Sequence, residues 1–296
     1  MFKQILTAVV TGIAAMSPAF ALEPTAGATA EVNGLTMYYE VHGDSGEPLV
    51  LLHGAYMTIP TNWAGLIPTL SETHQVIALE LQNHGRTSDR DTPITYEGMA
   101  DDVAGLLDHL GVEKAAVFGY SMGGGVAIRL AMQHPEKVSR LVVASMPIAY
   151  DAFPDTFHDM VEGFTADFFL NTPFAEAHTQ FGKTEQQFVD LFEKLRALDL
   201  ERFAWDEEAF AAIDVPSLLI FGDADVIKID HIAKMHRLLG GIVDGDTNGL
   251  PKTQLMVLPG TSHIGVFFNP ANVEIMKSAV PAFLAQELPQ APKMAW

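Results

Sequence analysis

Residues 115–125 read Ala115-Ala116-Val117-Phe118-Gly119-Tyr120-Ser121-Met122-Gly123-Gly124-Gly125, an apolar run that passes through a single serine into a glycine-rich one. The run to Phe118 suits a buried strand. Gly124 to Gln133 suits a helix, stopped by His134-Pro135. A strand-to-helix turn this short is tight, and glycine two residues either side of Ser121 removes side chains that would collide in it. Such a turn exposes Ser121 at the carboxyl edge of a sheet. The helix start behind it offers backbone N–H donors and partial positive charge to a developing anion. Ser121 is therefore the candidate nucleophile.

A serine attacks only when a base takes its proton. Among 11 histidines, His263 ends the loop Pro259-Gly260-Thr261-Ser262-His263 after the last expected strand, where it would project over the same sheet edge. His53 is better placed for a different role. With Gly54 it forms a turn after an early strand that would present the Ala55 amide opposite that of Met122, two donors for an oxyanion. The acid should follow the strand Leu218 to Phe221, where Gly222-Asp223-Ala224-Asp225 offers two carboxylates. Asp225 lies further into the loop and can lean toward the histidine. Asp223, beside the glycine, suits bonds to loop amides.

Outward from the serine, short apolar runs at 48–52, 76–81, 115–118, 141–144, 218–221 and 255–258 alternate with helical stretches such as Met99 to Leu110, capped by Gly111. Asn33-Gly34 between Ala28–Val32 and Leu35–Val41 predicts a hairpin. The whole predicts an α/β fold with a mostly parallel, doubly wound sheet of about eight strands. The alternation breaks over 147–213, which holds 11 of the 18 phenylalanines and a capping box at Thr184-Glu185-Gln186-Gln187 followed by Phe188, Leu191, Phe192 and Leu195 on one helical face. This predicts a helical cap after the sixth strand, dividing the core into 22–146 and 214–296. Tyr56, Tyr120, Phe168 and Phe169 are the candidate substrate contacts, with Asp159, Glu162 and Asp167 expected to face water.

The first 21 residues carry Lys3, an apolar stretch from Ile5 to Met16 and the small-x-small pattern Ala19-Phe20-Ala21, which together predict a cleaved signal peptide and a periplasmic or secreted protein. With 17 basic against 37 acidic side chains and a net charge of −20, neither nucleic acid nor a membrane surface is an expected partner. The absence of cysteine excludes disulfides and thiolate metal sites. Asp244-Gly245-Asp246-Thr247-Asn248-Gly249 resembles the opening of a calcium loop, but the closing glutamate position is Leu255, so an acidic turn is expected and no metal.

His53-Gly54, Asn83-His84-Gly85-Arg86, Gly119 to Gly123, Gly222 to Asp225 and Pro259 to His263 together resemble the α/β-hydrolase superfamily in order and spacing, over roughly Leu35 to Leu284. The resemblance implies the α/β-hydrolase fold, a helical cap and a triad of Ser121, Asp225 and His263, the second aspartate of the Gly-Asp-x-Asp stretch being the usual acid. Dehalogenases and epoxide hydrolases of the superfamily carry aspartate where Ser121 stands. Lipases of the His-Gly-Gly-Gly type carry more glycine than Ala55-Tyr56 supplies, and cofactor-free perhydrolases resemble Ser121 to Gly125 closely. The expected activity is hydrolysis of small, mainly apolar carboxylic esters without a cofactor. Lactones, amides, perhydrolysis or a carbon–carbon bond beside a carbonyl are the alternatives, and a binding protein on a retired scaffold is the reading from another class.

Overall fold

The computed structural model describes residues 26–290; the expected signal peptide lies outside them. Eight strands form one sheet: β1 (Ala26–Val32), β2 (Leu35–His42), β3 (Glu47–Leu52), β4 (His74–Leu79), β5 (Ala115–Tyr120), β6 (Val138–Ala144), β7 (Ser217–Ala224) and β8 (Thr253–Ser262). Their spatial order is β1-β2-β4-β3-β5-β6-β7-β8. β1 and β2 run antiparallel to their neighbours and the others are parallel. At the β1–β2 turn Asn33 and Gly34 both take positive φ, 48° and 82°, the conformation a two-residue hairpin loop requires.

Twelve helices complete the described chain: α1 (Ile59–Trp63), α2 (Ile67–Leu70), α3 (Tyr96–His109), α4 (Met122–Gln133), α5 (Asp155–Gly163), α6 (Pro173–Thr179), α7 (Glu185–Asp199), α8 (Glu207–Ala211), α9 (Ile229–Leu238), α10 (Gly245–Asn248), α11 (Gly265–Phe268) and α12 (Pro270–Leu284). Every residue of β5 is buried, as are Leu49 to Leu52 of β3. Strands covered on both faces have no polar side to alternate with, which is why these segments read as unbroken apolar runs. None of the described helices is long and apolar enough to cross a membrane.

β4 ends at Leu79, two residues short of the expected Leu81. Glu80 keeps one cross-strand bond, its amide donating to the Tyr38 carbonyl, but its other groups are taken locally. Its carbonyl accepts Thr87 Oγ1, and its carboxylate accepts the Arg86 amide and guanidinium. Arg86 also reaches Glu40 and lies over the Tyr38 ring. The Asn83-His84-Gly85-Arg86 stretch is thus folded around a buried carboxylate.

Between β6 and β7 the chain is helical, α5 to α8 with two short 3-10 turns, and one isolated bridge from Ala149 to Ala204 joins its ends. Thr184 caps α7 as the sequence implies, and Phe188, Leu191, Phe192 and Leu195 are buried. Asp244 caps α10, accepting the amides of Asp246 and Thr247, and Leu255 lies in β8. The acidic turn is a helix start.

Candidate active site

Ser121 caps α4 with φ 51° and ψ −121°, a conformation an L-residue adopts only under constraint. Its amide donates to the Ala144 carbonyl at the end of β6 (2.8 Å), fixing the turn from one side. From the other side, α4 presses on β5 and β3 so closely that side chains at two positions are impossible. A Cβ on Gly119 would stand 2.0 Å from the Gly123 carbonyl oxygen, and one on Gly123 would stand 2.2 Å from that of Leu52.

His263 reaches the serine because β7 and β8 are in parallel register up to Ala224 and Ser262. The next residue on each strand is Asp225 and His263. Ser121 Oγ lies 3.0 Å from His263 Nε2, and His263 Nδ1 lies 2.9 Å from Asp225 Oδ1. Tyr120 donates its hydroxyl to the His263 carbonyl at 3.0 Å and so holds the loop. Asp223 accepts the Thr261 amide at 2.9 Å, bracing the same loop rather than the imidazole.

Asp225 has a second partner that sequence reasoning missed. Ser145, at φ 54° just past β6, donates to Oδ2 at 2.6 Å. Its only sequence signal is a polar residue at the carboxyl end of a buried strand, beside the edge where the chemistry gathers. The Asp225 side chain has no solvent exposure. Burial by itself would raise its pKa, but the charge of His263 and the bonds from His263 and Ser145 outweigh it and hold the carboxyl below the ordinary range.

His53 is committed elsewhere. Its Nδ1 donates to the Gly54 carbonyl (2.8 Å), and its Nε2 accepts the Leu81 amide (3.1 Å). Burial pushes its pKa down to about 4, so the ring is neutral at ordinary pH. The Gly54 amide donates to Asn62 Oδ1 at 2.8 Å, and the turn ends at Tyr56 with φ 60°. Among the described residues the amides of Ala55 and Met122 have no acceptor.

Two expected substrate contacts are placed elsewhere. Tyr120 is 1% exposed and packs on Phe267 with ring centroids 4.5 Å apart, so it supports the site from below. Phe168 is 40% exposed, its ring nearest Phe164 at 5.9 Å. Successive residues on a short 3-10 turn point in different directions, so only one of the Phe168–Phe169 pair can face inward. Phe169 does, stacking on Tyr56 at 4.8 Å. Around Tyr56 also stand Phe174, Phe188 and Phe192, at 6.5, 6.3 and 6.1 Å. Asp159, Glu162 and Asp167 are exposed.

Residues 47–201, just over half of the chain, match the family described as alpha/beta hydrolase fold. The chain belongs to that family. This α/β-hydrolase is 28% identical, over 79% of its length, to the dihydrolipoyllysine-residue acetyltransferase component of an acetoin cleaving system from Pseudomonas putida, covering 64% of that protein. It is 38% identical to 2-hydroxymuconate semialdehyde hydrolase from Pseudomonas sp. (strain CF600), over 45% of either protein. It thus spans less than two thirds of the length of these curated relatives. Carboxylesterase CesB (YbfK) from Bacillus subtilis superposes with a TM-score of 0.70 at 18% identity, over 96% of this chain and 99% of that one. At that identity the likeness is one of fold.

Proposed function

We propose that the protein is an exported serine hydrolase that cleaves carboxylic esters of small, mainly apolar substrates through an acyl-enzyme on Ser121. The observation that carries this reading is the continuous chain from Ser121 Oγ through His263 to the buried Asp225. His263 Nε2 takes the hydroxyl proton as Oγ attacks the acyl carbon. The amides of Ala55 and Met122 receive the oxyanion, helped by the start of α4. Collapse expels the alcohol with a proton from His263. Water, deprotonated by the same nitrogen, then attacks the acyl carbon, and the acid leaves as Oγ recovers its proton. Asp225 keeps the imidazole in the required tautomer and stabilises its cation.

The phenylalanines around Tyr56 support an apolar acyl or aryl group, and the 21-residue leader supports export. No nucleic-acid or membrane partner and no cofactor enters the reading. Hydrolysis of a carbon–carbon bond beside a carbonyl is the second reading, favoured by the 38% identity to the semialdehyde hydrolase. A fluorophosphonate probe should label the protein and fail on Ser121→Ala. A panel of p-nitrophenyl esters, lactones and vinylogous diketones then ranks the two readings. No labelling of the folded protein would overturn both.

A further inference from the structure

Of the two amides offered to the oxyanion, that of Met122 is aimed by the helix it begins, α4. The Ala55 amide has no helix or strand behind it. It follows Gly54, the residue type least able to hold a backbone direction by itself. Glycine is required there because the turn passes close over Tyr120: a Cβ on Gly54 would stand 3.0 Å from that ring. The freedom that comes with glycine is removed by hydrogen bonds instead.

The Gly54 carbonyl accepts from His53 Nδ1 at 2.8 Å and from the Met57 amide at 3.2 Å. That carbonyl shares one planar trans peptide with the Ala55 amide, so drawing the C=O to one side turns the N–H to the other. The peptide before Gly54 is held separately, its N–H donating to Asn62 Oδ1 at 2.8 Å. With the planes on both sides of the Gly54 Cα tethered, neither of its torsions is free to drift.

Asn62 is itself held firmly. It lies in α1, whose start is closed by Thr61 Oγ1 accepting the Thr58 amide at 2.8 Å, and its own amide donates to the Thr58 carbonyl at 3.1 Å. The next residue, Trp63, is fully buried with its ring edge-on to Phe118 and Phe267, centroids 4.9 and 5.1 Å away. Asparagine is nevertheless a costly residue for this place. It is 3% exposed, and among the described residues its Nδ2 has no acceptor while Oδ1 serves the Gly54 amide alone. Leucine would fill similar space without burying unmatched N–H groups, so packing does not account for Asn62.

We propose that Asn62 is a positioning residue for catalysis, which through the Gly54 amide presets the Ala55 N–H toward the oxyanion. The proposal rests on Ser121 being the nucleophile and deepens that reading. A donor aligned in advance stabilises charge as it develops on the acyl oxygen, so its effect belongs to kcat rather than to ground-state binding.

The experiment compares the full protein with Asn62→Leu and Asn62→Asp, counting intact sites by end-point fluorophosphonate labelling. On one p-nitrophenyl ester, kcat and KM are measured per labelled site. Two inhibitors of the same chain length are added: a trifluoromethyl ketone, which Ser121 converts to an oxyanion adduct, and the matching alcohol, which forms none. Asn62→Leu should lower kcat by about ten- to a hundredfold, less than the loss of a donor outright, with KM changed by no more than about twofold. The ketone should bind more weakly by the same factor and the alcohol as before. Asn62→Asp keeps an oxygen for the Gly54 amide and should lie between the wild type and Asn62→Leu. Should leucine prevent folding, Asn62→Ala takes its place with the same expectations. Unchanged kcat and ketone binding would overturn the role. So would equal weakening of ketone and alcohol, the mark of a general loss of packing, or an Asn62→Asp no better than Asn62→Leu. Each of these leaves the hydrolase reading intact, whereas failure to label the wild type would remove the nucleophile on which both depend.

Discussion

Ser145 Oγ donates to Asp225 Oδ2 at 2.6 Å, while the other oxygen of the same carboxylate accepts from His263 Nδ1 at 2.9 Å. The acid is thereby held at both oxygens with no exposed side-chain surface, and its orientation is set by β6 as much as by its own loop. A carboxylate fixed in this way cannot turn toward water and away from the imidazole.

Removing either partner should show that division of labour. Asp225→Asn should lower kcat on the order of 10⁴-fold, since the amide favours the wrong tautomer of His263. Ser145→Ala should cost about ten- to a hundredfold by leaving Oδ2 buried without a donor. Asp223→Asn, which braces loop amides such as that of Thr261 rather than the imidazole, should cost far less than either. Steady-state kinetics on one ester suffice, and a larger loss from Asp223→Asn than from Asp225→Asn would reverse the assignment of the acid.

The two adjacent cap phenylalanines should separate cleanly. Phe169→Ala opens the stack on Tyr56 and should reduce kcat/KM most for the longest acyl chains, by up to about fourfold for each methylene that loses its contact. Phe168→Ala, at an exposed position, should leave the chain-length ranking unchanged. A homologous series of neutral esters checks both, and equal effects from the two would show that Phe169 does not select substrates.

Gly123→Ala asks whether the elbow depends on close backbone approach. The added methyl would meet the Leu52 and His53 carbonyl oxygens at 2.2 and 2.6 Å, and rigid backbone cannot yield that much without moving β3 or the turn. The variant should lose fluorophosphonate labelling and melt several degrees lower, a destabilisation of roughly 1–3 kcal/mol from overpacking. Calorimetry with unchanged Tm and full labelling would contradict the packing argument.

Acid should destabilise the protein through its buried imidazoles. Burial holds His53 and His178 down to about 4 and His84 well below the ordinary range. The unfolded chain binds these protons near the usual histidine pKa of about 6.5, whereas the folded chain refuses those of His53 and His178 until about 4. Stability is therefore complete above about 6.5 and falls as pH drops toward 4, most steeply within that window. His84 and His178 lie with ring centroids 5.8 Å apart across the join of core and cap, so protonating one opposes protonating the other. Tm measured between pH 7 and 4 should fall more steeply for the wild type than for His178→Asn, and parallel curves would rule His178 out as a contributor.

Much of the fold was legible in residue order because it depends on short-range causes. The hairpin at Asn33-Gly34 needs only two residues that accept positive φ, and each satisfies it. The strand, turn and helix around Ser121 follow from an apolar run, two glycines and a helix former within 20 residues. The capping box at Thr184 and the buried face that follows it are likewise local. Even the grouping of Ser121, Asp225 and His263 was readable, since parallel strands deliver their carboxyl ends to one edge.

Tertiary structure alone decided what depends on direction and on long-range approach. Ser145 meets Asp225 across 80 residues of sequence, and nothing local distinguishes it from any other serine after a strand. Phe168 and Phe169 are identical as residues and neighbours in the chain, so only the direction of the turn placed one against Tyr56 and the other in water. Tyr120 stands beside the nucleophile in sequence yet packs into the core as the last residue of β5, whereas Ser121 leaves the strand at φ 51° in the turn. Composition and periodicity specify which elements form and which faces are apolar, whereas the contacts that tune a site are made between segments that meet only when the chain is folded.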